Sequence, residues 1–445
     1  MPGGARFVSE LPFAFPPRPG GLVARAHRLD NGLTVVLLRD PSAPIVAYQT
    51  WFRVGSRNER EGRTGIAHLF EHLMFNQTEH LPPGEFDRRI EAVGGETNAA
   101  TWVDWTYYVD TAPAPALGTL IELEAERMQH LTLGEEQVES EREVVANERR
   151  FRVDDAVDGM LNEELYKLAF DRHPYHWPTI GWMQDIHAIT IDDCRAFYRT
   201  YYAPNNAVVV AVGDLVEEEA LAAIEAAYGG LARQQIPDEA VPAEPAPSGP
   251  RRAEWEKPVP ADRVQIGWRA VGQRDADYAA LEVAAEVLAG GNGSRLYRRL
   301  VVELEVASSV STSVAPFRDP GLFEASVALT RGHRAEEAER VIDEMLGALA
   351  ARGPTGEELA GAQARLLTRF WMGLRSQAGK AEAIGHAELI LGDYRRLLDT
   401  PREVAAIDAA AVGRAVGRYL TAARRTTVVA RPSGGLDDDE DEDDE

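Results

Sequence analysis

Hydrophobic and polar positions alternate in two distinct ways along this chain. Short apolar runs, "LTVVLL", "IVAYQTWFRVG" and "NAVVVAVGD" in the first half and "DRVQIGWRAVG" and "RRTTVVARPSG" in the second, have strand length and β-branched content. Between them lie amphipathic helical patterns, "TLIELEAERMQHL", a run near 276–290 and "AEEAERVIDEMLGALA". In each half one strand opens and another closes a set of long helices. This faint repeat has the period of a whole domain, and it predicts an α+β fold of two related domains with mainly antiparallel sheets.

A stretch rich in Pro, Ala and Glu, "QQIPDEAVPAEPAPSGPRRAE", carries no periodic apolar residues and reads as a connector. It divides the chain into a first domain over 1–235, a linker over 236–254, a second domain over 255–436 and an acidic, disordered tail over 437–445. With 445 residues, each domain can bury its own core.

One helical pattern breaks the rule of its neighbours. "GIAHLFEHLMF", residues 65–75, sets two histidines and a glutamate among oily side chains, and Thr64 is the expected N-cap. At about 100° per residue, Ile66, Leu69, Phe70 and Leu73 form a continuous apolar side, and His68, Glu71 and His72 share the other. His68 and His72 stand one turn apart, so two imidazoles can face one ion, and zinc accepts such nitrogens at about 2.0–2.1 Å. Glu71 need not be a ligand. Beside such a site its carboxylate can take a proton from water and return it to a leaving amine. The order H-x-x-E-H is a metallopeptidase signature.

Two histidines leave a zinc site short of a ligand. In "EEQVESEREVVANERRF", periodicity aligns Val138, Glu141, Val145 and Glu148 on one stripe and turns Glu139 and Glu143 away. Two acids among buried valines are costly unless paired or bound to metal, so Glu141 and Glu148 are the candidates.

Together, "HLFEH" and "EREVVANE" resemble the pitrilysin or insulinase-type zinc peptidases, the inverzincins, a family that includes the mitochondrial processing peptidase. Similar stretches are "GGETNAATWVDWTYYVDT", "HPYHWPTIGWMQDIHAIT", "YYAPNNAVVVAVGD" and, more weakly, "GGNGSRLYRRL". The resemblance implies that Glu148 is the third zinc ligand, that Glu141 supports the site, and that one zinc ion is held per chain. It implies that the strand with Asn98 and Ala99 offers its edge to a peptide substrate; as a bare sequence feature, Asn98 equally suits a turn after Gly94-Gly95. It also implies two homologous domains forming one half of a clam-shell whose other half comes from a second chain. An arginine and a tyrosine seven residues later steady the reaction in many active members. Here Val301 and Ser308 stand in their places, and Arg298 and Arg299 are out of register. The expectation is a zinc endopeptidase subunit for short or unfolded polypeptides. It works with a homologous, zinc-free partner that brings the missing pair, a homodimer being the other arrangement. The alternatives are a scaffold or assembly subunit that keeps the fold without catalysis, and a peptide-binding module with structural zinc. A scaffold has no use for all five site residues, and a structural site takes four protein ligands.

Composition narrows the partners. The net charge is −25, and setting aside the nine acidic residues of 437–445 still leaves −16. So acidic a surface repels phosphate backbones, which argues against nucleic acid. No apolar run reaches the ~18 residues of a membrane span. The first twenty-one residues lack the apolar core of a secretory signal, and the single Cys194 fits a reducing compartment, so a cytoplasmic location is expected.

Overall fold

The computed structural model describes residues 4–13, 21–238 and 241–433; the acidic tail lies outside them. The chain forms two compact units. The first gathers the described residues up to Arg149, then Trp177–Val241 and Arg369–Thr400. The second gathers Arg150–His176, Pro242–Thr368 and the described residues from Pro401 onward.

The first unit is built on β1 (Arg6–Phe13), β2 (Leu22–Arg28), β3 (Thr34–Arg39), β4 (Ile45–Phe52), β5 (Glu96–Thr101), β6 (Thr106–Pro113) and β7 (Ala207–Gly213). They form one sheet in the order β1-β2-β3-β7-β4-β6-β5. Only the β3–β7 pairing is parallel. Its helices include α1 (Ile66–Leu73), α2 (Glu85–Ala92), α3 (Leu117–His130) and α4 (Glu135–Arg149).

The second unit has β8 (Arg251–Lys257), β9 (Arg263–Arg269), β10 (Ala307–Val314), β11 (Leu322–Leu329) and β12 (Arg425–Pro432), ordered β10-β11-β9-β12-β8. Here too the closing strand pairs parallel with the opening one, β12 with β8, and antiparallel with the next, β9. Read outward, β3-β7-β4-β6-β5 and β8-β12-β9-β11-β10 are the same five-strand topology. The faint repeat of apolar runs is therefore a repeat of fold, and the class is α+β with two homologous domains.

The units do not follow a single cut in the chain, and the physical reason lies in their central strands. Every residue of β7 is buried. Val209 and Ala211 enter the core beneath the helices, and Val208, Val210 and Val212 enter a second core on the other face. A central strand apolar on both faces needs cover on both. Segment 369–400 supplies the second cover, with Leu374, Ala381, Ile384 and Tyr394 packed on Trp51 and the β7 valines. Gly385 is required there: a Cβ at this position would stand 2.2 Å from Trp51 Nε1. In the second unit, α5 (Val157–Ala169) packs on β9 and β12. Leu165 lies over Gly267, and the Tyr166 hydroxyl donates to Glu324 (2.5 Å). Each unit thus takes a covering segment from the other half of the sequence.

The connector also differs from expectation. Residues 251–254 already belong to β8. Glu244 is tied down by the amides of Asp171, Arg172 and His173 (2.8–2.9 Å) and by Arg269 (2.9 Å). Composition marks flexibility but does not reveal a carboxylate that collects four donors.

Candidate active site and metal centre

α1 does not begin as the sequence suggests. Its N-cap is Gly65, in left-handed conformation at φ 89°, where a Cβ would meet Ile180 O at 2.5 Å. The Thr64 hydroxyl instead donates to Asp185 (2.8 Å) and accepts the Trp182 amide (2.9 Å). The first helical amides are met by Glu59, which accepts from Gly65 (2.9 Å) and Ala67 (2.8 Å). A carboxylate at the positive end of the helix dipole does the work of a cap.

Ile66, Ala67, Leu69, Phe70 and Leu73 are buried, and α4 packs against α1. Val138 and Val145 anchor α4 in the core, while Glu139 and Glu143 face solvent. The valine stripe therefore carries Glu141 and Glu148 to the histidines. Glu148 Oε2 lies 3.6 Å from His68 Nε2 and 3.4 Å from His72 Nε2. One ligand atom from each of His68, His72 and Glu148 falls within 4.8 Å of the other two. The imidazole rings stand 5.0 Å apart at 79°. Glu141 Oε2 faces the other ring nitrogen, His72 Nδ1, at 3.6 Å. Glu71, half-buried, lies on the same turn between the two histidines.

Electrostatics make this a place for positive charge. Burial by itself lowers the pKa of His72, but the carboxylates of Glu141 and Glu148 outweigh it and raise the value to about 9. Glu141 is held below its ordinary value by His72 and Asn76. Two neutral imidazoles and a carboxylate at this spacing suit zinc by donor type and number, and three protein ligands leave a coordination position open.

Asn98 and Ala99 lie in the middle of β5, which is the edge strand, with Asn98 opposite Val109 in the register. The turn alternative for Asn98 therefore does not hold. Asn98 is exposed, and its Oδ1 accepts the Ala99 amide (2.8 Å). In the second unit, Val301 is half-buried and the Ser308 hydroxyl donates to Ala328 O (3.2 Å). Arg298 and Arg299 are engaged with Glu303. His173, with Asp319 at 3.2 Å, also belongs to the second unit. Cys194 is buried, which pushes its thiol up to about 12 and leaves it a packing residue.

Asn76 was not anticipated. Its amide donates to Glu141 Oε1 (3.1 Å). The available signal was its place one turn after His72. Glu59 gave no local signal, because six residues of loop separate it from the helix it caps.

Residues 34–181 match the family described as Insulinase (Peptidase family M16), and residues 188–366 match its Peptidase M16 inactive domain. The chain belongs to peptidase family M16. Among individual proteins it is 32% identical to the zinc protease PqqE of Helicobacter pylori, over 91% of this chain and 92% of that one. It is 24% identical to a probable mitochondrial-processing peptidase subunit beta of Arabidopsis thaliana, over 89% and 76% of the two chains. The crystal structure of a protease from Helicobacter pylori superposes with a TM-score of 0.88 at 30% identity, covering 95% of this chain and all of that one.

Proposed function

We propose that this chain is the metal-bearing subunit of a zinc endopeptidase that hydrolyses short or unfolded polypeptides. The carrying observation is the convergence of His68, His72 and Glu148 on one point, with Glu71 on the same helical turn. Names of relatives as zinc proteases support the metal and the reaction class.

In this reading His68, His72 and Glu148 hold one zinc ion. A zinc ion held there would supply a Lewis acid for the scissile carbonyl and for water. Glu71 takes the proton from the attacking water and passes it to the departing amine, serving first as base and then as acid. Glu141 positions His72 through Nδ1, in the manner of carboxylate–histidine pairs around metals. The substrate backbone adds to the free edge of β5 beside Asn98 and Ala99, which reads main chain rather than side chains and so favours unfolded peptides.

A homologous zinc-free partner supplies the arginine and tyrosine for which this chain has Val301 and Ser308. Supporting this, one relative carries "subunit" in its name. A cytoplasmic setting fits the lone, buried Cys194. Among the described residues no helix is long and apolar enough to cross a membrane.

The test compares the native chain with Glu71→Gln on an unstructured peptide, alone and with a co-purifying partner. Turnover should disappear in Glu71→Gln while metal content stays at one per principal site. Metal loss in that variant would make Glu71 a ligand and overturn its role. Full activity of the isolated chain would remove the need for a partner, and a metal-replete complex with no turnover would favour the scaffold reading.

A further inference from the structure

A second constellation of metal-binding groups lies in the first unit, apart from the one just described. The segment after α1 runs back along the end of α3. Thr78 and Leu131 form an isolated antiparallel bridge, the Glu79 amide donates to His130 O (2.9 Å), and the Thr132 amide donates to Gln77 O (3.1 Å). This short zipper sets His80 against His130, the last residue of α3, with ring centroids 4.9 Å apart at 87°. One ligand atom from each of Glu79, His80 and His130 lies within 4.8 Å of the other two. Glu79 Oε2 is 3.2 Å from His130 Nδ1.

Glu126, one turn before His130, completes the arrangement. Its carboxylate accepts the Thr78 hydroxyl (2.5 Å) and lies 3.1 and 3.2 Å from His80 Nδ1. A carboxylate on one ring nitrogen fixes the ring and makes the other nitrogen a better donor, the outer-shell pattern that accompanies metal-bound histidine. Glu126 and His130 also border an open cleft of about 500 Å³.

We propose that Glu79, His80 and His130 form a second site for a divalent transition-metal ion, with Glu126 orienting His80. Two imidazoles and one carboxylate suit zinc, and cobalt or nickel can substitute. Tetrahedral ligands around zinc stand roughly 3.4 Å apart. Glu79 and His130 already meet that spacing at 3.2 Å, and the side chains need only adjust slightly to close the rest. His80 and Glu79 are exposed enough to do so. That exposure makes the ion exchangeable with the medium, unlike one held between α1 and α4. An ion here clamps the segment that begins at Asn76, and Asn76 holds Glu141.

Untagged protein, stripped by chelator, is dialysed against Zn2+ and Co2+ at graded free concentrations, and bound metal is measured. The native chain should take up two ions, and His80→Ala with His130→Ala should take up one. The His68→Ala, His72→Ala chain should keep one ion, and adding His80→Gln should weaken its binding by more than the roughly tenfold that an outer-shell change costs. Its bound cobalt should show tetrahedral visible absorption. Circular dichroism identifies variants that have kept their fold. A folded His68→Ala, His72→Ala chain that binds no ion, or one whose ion is unaffected by further His80→Ala and His130→Ala changes, overturns the second site. Because the decisive chain lacks the first pair of histidines, the result does not depend on the peptidase reading.

Discussion

Asn76 donates to Glu141 across 3.1 Å, and the far side of the same carboxylate faces His72 Nδ1 at 3.6 Å. One residue just past the end of α1 and one from the middle of α4 therefore hold the ring of a candidate ligand. Outer-shell carboxylates of this type typically contribute 10–100-fold to metal affinity or activity. Glu141→Gln should weaken zinc binding by about that factor, and Asn76→Ala by the lower end of it. Competition with a chromophoric chelator measures both. Unchanged affinity in Glu141→Gln would show that the carboxylate does not position His72.

Metal removal should destabilise the first unit selectively. A ligand present at 1,000 times its Kd stabilises the state that binds it by about 4 kcal/mol. Stripping the ion should lower the melting temperature of the unit that carries α1 and α4. His68→Ala combined with His80→Ala, which disables both sites, should melt at the same temperature with or without added zinc. Calorimetry on chelated and zinc-loaded protein checks this.

Gly385→Ala probes the borrowed cover. The new methyl would fall 2.2 Å from Trp51 Nε1, with Trp51 locked between the sheet and segment 369–400. Overpacking of this kind costs about 1–3 kcal/mol. For a unit of this size that means a drop of several degrees in melting temperature. A neutral result would mean that the segment rides less closely on the sheet.

Arg127 should be among the least replaceable residues of the first unit. It is fully buried, paired with Glu124, and its guanidinium lies over Phe75, Phe86 and Tyr108 at 4.3–5.2 Å. Arg127→Met keeps most of the volume but leaves Glu124 without its cation. Breaking a buried pair from one side costs about 3–5 kcal/mol. The double change Arg127→Met, Glu124→Gln should recover part of the loss. Urea denaturation measures both, and a single variant as stable as the native chain would refute the pairing.

Acid should weaken the second unit within a definite window. Glu254 is held down to about 2 by Arg431 and Arg252, and Glu358 to about 2 by Arg295. A depressed carboxylate stabilises the fold above its unfolded pKa, near 4.5, and that contribution fades as pH falls toward 2. Both groups are partly exposed, so screening trims the effect. The urea midpoint should fall between pH 5 and pH 2.5, less steeply in Arg295→Met and Arg431→Met. Parallel slopes in native and variant proteins would contradict the assignment.

Much of the candidate site is legible in the sequence. An i, i+4 histidine pair on a polar face and two acids on a valine stripe are local periodicities, and helices preserve local periodicity whatever surrounds them. Thr64 fails as a cap because its hydroxyl oxygen accepts the Trp182 amide from far along the chain, while Glu59 accepts the amides at the start of the helix. The metal-like cluster of Glu79, His80 and His130 could not be read at all. Its histidines are fifty residues apart and meet because the segment after α1 pairs with the end of α3 around Thr78 and Leu131.

By itself, the sequence determined several of the strands and helices, a faint repeat between its two halves, and which side chains share a helical face. These follow from spacing along the chain, and spacing is what a sequence states directly. Tertiary structure alone decided that α5 and segment 369–400 cross over to cover the opposite sheets, that Glu59 caps α1, and that Asn76 steadies Glu141. Those outcomes depend on which buried surface still lacks a partner once the sheets have formed, and that shortage exists only in three dimensions.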